Sequence, residues 1–181
     1  MSTLAIVMIV KNEEENLSRC LKQAAGLADK LYITDTGSTD RTREIAAAYG
    51  AVVTEYVWNQ DFAAARNFAL SQSDCDWNLM LDADEYLAEG SRRDLEEFLK
   101  NPKQIGAIEL KNYYMEDMPG GRQEMAYTYL YVSRLLPKGV GFAGRIHEQV
   151  DTAFPLVPVP LLFGHDGYLK RGKAERNLSI L

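Results

Sequence analysis

Sulfur and imidazole are scarce in this 181-residue sequence, which has two cysteines and two histidines. Cys20 falls in a helical pattern and Cys75 precedes an apolar stretch. They make neither a disulfide framework nor a spaced pair of metal ligands, and both read as plain thiols. No apolar run approaches the ~18 residues that would cross a bilayer. The opening MSTLAIVMIVKNEEE has no basic flank before its apolar centre and no small-residue cleavage site after it. It reads as a first strand rather than a signal peptide, and a cytoplasmic protein is expected. Positive charge is not in excess either. A formal net charge of -6 argues against a nucleic-acid partner, whose binders carry basic stripes. Neither G-x-G-x-x-G nor a Walker A sequence is present, which removes the two glycine-rich routes to phosphate binding. Carboxylates acting with a divalent cation are the route that remains. Internal repeats and low-complexity segments are also lacking.

What the sequence does have is an ordinary globular composition, 46% hydrophobic and 25% charged, sized for one sizeable core and a single domain over residues 1–181. Its organising stretch is WNLMLDADEYL, residues 77–87. Residues 78–81 read as a short strand buried on both faces, and Asp82, Asp84 and Glu85 crowd its carboxyl end. Residues two apart in extended chain point the same way, so Asp82 and Asp84 can present oxygens to one side. Two hard oxygen donors suit Mg²⁺ or Mn²⁺. A solvated acidic turn explains a lone Asp-x-Asp equally well.

From the N-terminus, Leu4–Val10 reads as a strand, and Asn12 with Glu15 three residues on reads as a capping box opening a helix. Leu17, Cys20, Leu21, Ala24, Ala25 and Ala28 then share one helical face. Residues 31–34 form a second strand that runs into DTGSTD, with Thr39 or Asp40 capping the next helix. Residues 51–57 give a third strand and residues 61–70 a third helix. This alternation predicts an α/β fold with a mostly parallel, Rossmann-like sheet and helices on both faces. Strand ends one, two and four then share an edge, so residues 11–13, Asp35 and residues 82–85 should meet in one crevice. Beyond a polar helix expected at residues 91–100, strands at 105–110 and 127–136 flank a Met-Pro-Gly-Gly turn. This second half reads as β-ribbon and loops, irregular between Pro155 and Gly164. A helical pattern at 174–181 has no stop signal, as if the chain continued.

The segments IVKNEEENLSRCL, DTGSTDRT, WNQDFAAARNFAL, WNLMLDADE, GRIHE and HDGY, in this order and spacing, together resemble a family two glycosyltransferase of the GT-A fold. Bacterial enzymes that glycosylate peptides, proteins or lipopolysaccharide core are the branch most similar. The resemblance spans almost the whole chain. It implies a nucleotide-sugar donor, UDP-linked in most members, a Mn²⁺ or Mg²⁺ cofactor, and an inverting reaction on a peptide, protein, saccharide or lipid-linked acceptor. Residues 1–102 would be the donor half and 103–181 the acceptor half. Val10, Lys11 and Glu13 would lie against base and ribose, Asp35 beside the uracil, and Asp82 and Ala83 near the ribose or a metal-bound water. Asp84 would hold the metal, with His165 reaching it from across the diphosphate and Asp82 a further ligand. Many members have a second acid where this sequence has Thr36, so the base contact passes to Asp35 or to Thr36 itself.

Arg66 and Asn67 match the family's A-R-N and would touch the base or steady the carboxylates, while Trp58 is expected to pack. Glu148 would be the general base, with His147 orienting its neighbours. A rival for Glu148 is an ion pair with Arg145 or another nearby cation. Glu85 would cap the turn after the metal site. Two other activities fit parts of the pattern: a nucleotidyltransferase, which would want a glycine-rich first loop, and a catalytically silent nucleotide-sugar-binding module, which would need no base. The donor sugar, the acceptor and the oligomeric state stay open.

Overall fold

The computed structural model describes residues 1–169. The chain forms strands β1 (Leu4–Val10), β2 (Lys30–Asp35), β3 (Val52–Glu55) and β4 (Trp77–Leu81), with helices α1 (Leu17–Ala24), α2 (Thr42–Ala48) and α3 (Phe62–Ser71) between them. Then come β5 (Glu85–Glu89), β6 (Ile105–Asp117), β7 (Gln123–Pro137), β8 (Gly141–Ala143), β9 (Gln149–Asp151) and β10 (Leu156–His165). One eight-stranded sheet has the order β3-β2-β1-β4-β7-β6-β10-β5, and β8 pairs with β9 in a separate hairpin. The first four strands are mutually parallel. In the other half β10 is parallel to β6, while β7 and β5 run antiparallel to their neighbours. The mostly parallel α/β sheet expected from the alternation is what the chain forms.

Both faces of the sheet are covered, which is why β1 and β4 are apolar without alternation. Leu4, Ile6, Met8 and Val10 pack on one side with Leu17, Cys20, Leu21 and Ala24 of α1. Ala5 and Val7 face the other side with Ala63 and Ala69 of α3. Each fully buried Leu, Ile or Met contributes about 1.5–3 kcal/mol of transfer free energy. Cys20 and Cys75 are buried free thiols. None of the described helices is long and apolar enough to cross a membrane.

Four local expectations are corrected. Asn12 does not open α1, which begins at Leu17 after Asn16. Asn12 instead sits at φ 54°, and its Oδ1 accepts from the Thr39 N–H, lacing the loop after β1 to the loop after β2. Residues 91–100 form two short 3₁₀ turns rather than one helix. The β6–β7 hairpin is longer than the two predicted strands, because its pairing continues past the core as far as Asp117 opposite Gln123. The stretch after Pro155 is strand β10, pairing with both β6 and β5. Pro160 falls inside the register shift between Pro158 and Leu162, and Pro158 stands at its edge opposite Ala107; irregular pairing of this kind is where strands tolerate proline. The helical pattern at 174–181 lies outside the described residues.

β10 matters most for the site. Its register sets His165 opposite Glu85 on one side and opposite Asn112 on the other, which carries the C-terminal histidine to the acidic end of β4.

Candidate active site

The carboxyl ends of β2, β1 and β4 lie side by side, with Val10 in register with Asp35 and Met8 with Leu81. This is the edge at which open α/β sheets bind ligands. Asp35 is buried, and its Oδ1 accepts from the Gly37 N–H at 2.9 Å and the Ser38 N–H at 2.8 Å. The turn needs glycine at 37, where φ is 105°. Asp35 Oδ2 is buried with no hydrogen-bond partner among the described residues. Thr36 is committed differently: its hydroxyl and its N–H both donate to the Val10 carbonyl, at 3.0 and 2.9 Å. Thr36 therefore ties β2 to β1, and the free acceptor at this position belongs to Asp35. Lys11 is exposed, while Val10 and Ala83 are buried. Glu13 is also buried and accepts from the Asn16 side chain, and its N–H donates to Thr42 Oγ1.

A second cluster surrounds Asp82, on the bend after β4. Arg66 of α3 donates from Nη2 to Asp82 Oδ1 at 3.0 Å and from Nε to Glu148 Oε1 at 2.7 Å. Arg134 of β7 donates to Asp82 Oδ2 at 2.7 Å and also to Glu85 Oε1. Burial alone would raise the Asp82 carboxyl, but the two guanidinium groups outweigh it and hold Asp82 well below the usual carboxylate range. Glu85 goes the other way. Burial, with Asp82 and Asp84 close by, pushes it up in spite of Arg134. Its Oε2 accepts from the Asp82 N–H at 3.0 Å, the turn-capping position that the sequence suggests. Arg66 Nη1 and Arg134 Nε are buried donors with no partner among the described residues. Arg134 was not singled out from the sequence, although a charge three residues from the apolar end of a strand was a usable signal.

Glu148 arrives on the loop between β8 and β9. Asn67 fixes that hairpin to α3, accepting from the Phe142 N–H and donating to the Phe142 carbonyl, both at 2.8 Å. A cleft of about 420 Å³ opens here, lined among others by Arg66, Arg134, Phe142, His147 and Glu148. The cation paired with Glu148 is thus Arg66 rather than Arg145, and of the expected A-R-N roles, steadying carboxylates is the one the geometry displays. Trp58 packs edge-on against Phe62, with centroids 4.8 Å apart.

The third cluster is Asp84 with His165. Asp84 Oδ2 and His165 Nε2 lie 3.2 Å apart, and His165 Nδ1 lies 2.7 Å from Asn112 Oδ1. With the Asn112 amide oxygen accepting from Nδ1–H, Nε2 is the nitrogen turned toward the carboxylate, an arrangement typical of metal-binding histidines. Burial disfavours the imidazolium, yet the hydrogen bond and charge of Asp84, with Glu85 and Asp82 behind it, raise His165 above its ordinary value. A side chain at Gly167 would drive its Cβ into Asp84 Oδ2 and bring it within 2.8 Å of His165 Nε2. That space is thus reserved for the pair and for whatever lies against it.

One carboxylate and one imidazole fit a Mn²⁺- or Mg²⁺-type ion that takes further ligands from a phosphorylated substrate. Among the described residues no group of three or more His, Cys, Asp or Glu side chains is placed to hold a metal without such help. Asp82, expected to be both donor-side and a metal ligand, has each oxygen engaged by a guanidinium, an arrangement that favours the first role over the second.

Comparison with known proteins bears on the family and the fold. The family model described as Glycosyl transferase family 2 matches residues 5–148. A TPR repeat-containing protein of Synechococcus elongatus is 33% identical over 97% of this chain and 46% of its own length. An uncharacterized glycosyltransferase of Rickettsia typhi is 32% identical over 53% of this chain and 32% of its own length. The chain thus spans less than half the length of these curated relatives. Among solved structures, TarS of S. aureus superposes with a TM-score of 0.54 at 21% identity, over 65% of this chain and 23% of that one, a likeness of fold.

Proposed function

Because this chain belongs to glycosyl transferase family 2, we propose that it moves a sugar, with inversion, from a UDP-linked donor to a hydroxyl or thiol of an acceptor, dependent on Mn²⁺ or Mg²⁺. The observation that carries the reading is the meeting, along one sheet edge, of an unpartnered nucleotide-type acceptor, Asp35 Oδ2, with the Asp84–His165 pair. Residues 1–102 hold most of the donor side and residues 103–181 the acceptor side of a single domain.

Asp35 Oδ2 accepts the imide N–H of uracil, with its other oxygen already fixed by two backbone donors. Val10, Lys11 and Glu13 border the base and ribose at the end of β1, with Ala83 and Asp82 across from them. Asp84 and His165 would hold the cation, which when bound would supply Lewis-acid stabilisation of negative charge on the diphosphate. Arg66 and Arg134 add positive potential beside it, each with a buried N–H still to be used.

The acceptor oxygen or sulfur forms its bond to the anomeric carbon as the bond from that carbon to the diphosphate oxygen breaks on the opposite face. The acceptor proton passes to Glu148. Arg66 holds Glu148 by one oxygen, which leaves Oε2 as the proton-accepting atom. Arg66 thereby joins the donor-side Asp82 to the acceptor-side Glu148 through one rigid fork. Assays of UDP-sugar hydrolysis and transfer with Mn²⁺ and with EDTA test this reading. Metal-stimulated release of UDP is the expected result, and equal UDP affinity in EDTA and Mn²⁺ would refute the role given to Asp84 and His165.

A further inference from the structure

The acceptor is the part of this reaction that the family resemblance leaves widest, and the β6–β7 hairpin bears on it. β7 pairs with β6 from Gln123 up to Leu135, but with β4 only at residues 135–137. Among the described residues no strand adds to its other edge before Leu135, so alternate residues there turn both N–H and C=O outward. All of residues 127–131 are exposed, as expected of an edge and not merely of one face. Tyr131, Val132, Ser133 and Arg134 are consecutive, and all four line the cleft that holds Glu148. The open edge therefore runs without a break into the proposed site of proton transfer.

One face of the same edge is aromatic. Tyr127, Tyr129 and Tyr131 alternate along β7 and are 54%, 50% and 56% exposed. Tyr113, opposite Tyr127, and the Met115–Met125 pair extend this face outward. Lys111 Nζ lies 4.0 Å from the Tyr127 ring centroid and 5.1 and 5.6 Å from those of Tyr113 and Tyr129. The rings are thus braced by a cation–π cluster before anything binds. At the tip, exposed Glu116 and Asp117 give the arm a negative end.

We propose that the free edge of β7 is a docking strand for an extended polypeptide, so that the acceptor is a peptide or protein segment; this rests on the transferase reading above. A row of outward N–H and C=O groups at strand spacing is complemented by another backbone of the same repeat, which a saccharide or a lipid headgroup does not present. Alternate side chains of the segment lie over Tyr127, Tyr129 and Tyr131, and basic residues fall at the tip beside Glu116 and Asp117. Its Ser, Thr or Cys side chain enters the cleft at Glu148.

The test incubates the full chain, Mn²⁺ and a panel of UDP-sugars with a pool of short synthetic peptides, each with one Ser, Thr or Cys, and in parallel with oligosaccharide and lipid-linked acceptors. Modified peptides enriched in Lys or Arg on one side of the acceptor residue are expected. N-methylation of alternate amides should raise KM roughly tenfold or more, with the intervening amides tolerant. Tyr129→Ser should raise peptide KM while leaving donor hydrolysis unchanged. Modification of saccharide or lipid acceptors alone, or indifference to N-methylation, overturns the proposal. So does a dimer in sedimentation that Tyr129→Ser dissociates, since a second copy would then own the edge. A chain that hydrolyses donor but modifies no peptide sinks the docking strand only; one that hydrolyses no UDP-sugar sinks the reading beneath it.

Discussion

Replacing Arg134 with methionine keeps much of the apolar stem and removes a guanidinium from between Asp82 and Glu85. The two carboxylates are left unequally served. Asp82 retains Arg66 on its other oxygen. Glu85, 1% exposed, retains only the Asp82 N–H among its hydrogen bonds to described residues. Breaking a buried pair from one side typically costs about 3–5 kcal/mol, because the remaining charge is uncompensated. In a protein of this size that lowers Tm by roughly 6–20 °C.

The deficit has a predictable pH dependence, best measured in EDTA. Glu85 is already raised, burial being the first cause, and loses its opposing cation in the variant. A raised carboxyl contributes full stability below its unfolded value, about 4.3, and loses it as pH climbs through the folded one. Asp82 is held low by Arg134 and Arg66 against the effect of burial, so its contribution is present above about 3.9 and lost as pH falls. Removing Arg134 worsens the first and shrinks the second. The Asp82 part of the deficit is already complete above about pH 4, so the part that grows toward neutrality is that of Glu85, at no more than about 1.4 kcal/mol per pH unit for the one proton involved. Urea unfolding of both proteins at pH 4.5 and 7.5 reads this directly, and adding Glu85→Gln should restore at least half of the neutral-pH loss. A deficit equal at the two pH values, or under about 1 kcal/mol, would refute the clamp as drawn.

Glu148→Gln keeps an oxygen for Arg66 Nε but cannot take the acceptor proton; turnover should fall about 10²- to 10⁴-fold with calorimetric UDP affinity unchanged, and unchanged turnover would dismiss Glu148 as base. Asp35→Asn sets an amide donor where Oδ2 should accept, so UDP should bind roughly 10- to 100-fold more weakly; equal affinity would release Asp35 from the uracil. Gly167→Ala would drive a methyl into Asp84 and His165, and titration of UDP with and without Mn²⁺ should then show loss of the metal-dependent gain alone. Mn²⁺ by itself should bind weakly and tighten when UDP is present, since two side chains leave most of the coordination shell to other ligands; tight Mn²⁺ binding without nucleotide would contradict the two-ligand site.

Composition, period and punctuation determined the first half of this protein. Strands β1, β2 and β4 are short apolar runs ending in turn residues, and the helical spacing between them admits little besides a parallel sheet with its ligand edge at Asp35 and Asp82. That information is local, and local chemistry fixes it. Tertiary structure decided what each acid at that edge does. Asp82, Asp84 and Glu85 are neighbours in sequence, yet one is held between two arginines, one faces His165 and one is buried beneath Arg134. Their side-chain partners come from α3, β7 and β10, at separations up to 81 residues, and no periodicity encodes such pairings. The same holds for β10, whose prolines read as irregular until two neighbouring strands supply the register that accommodates them. It holds again for the open edge of β7, because a strand's own sequence does not say which neighbour will be missing.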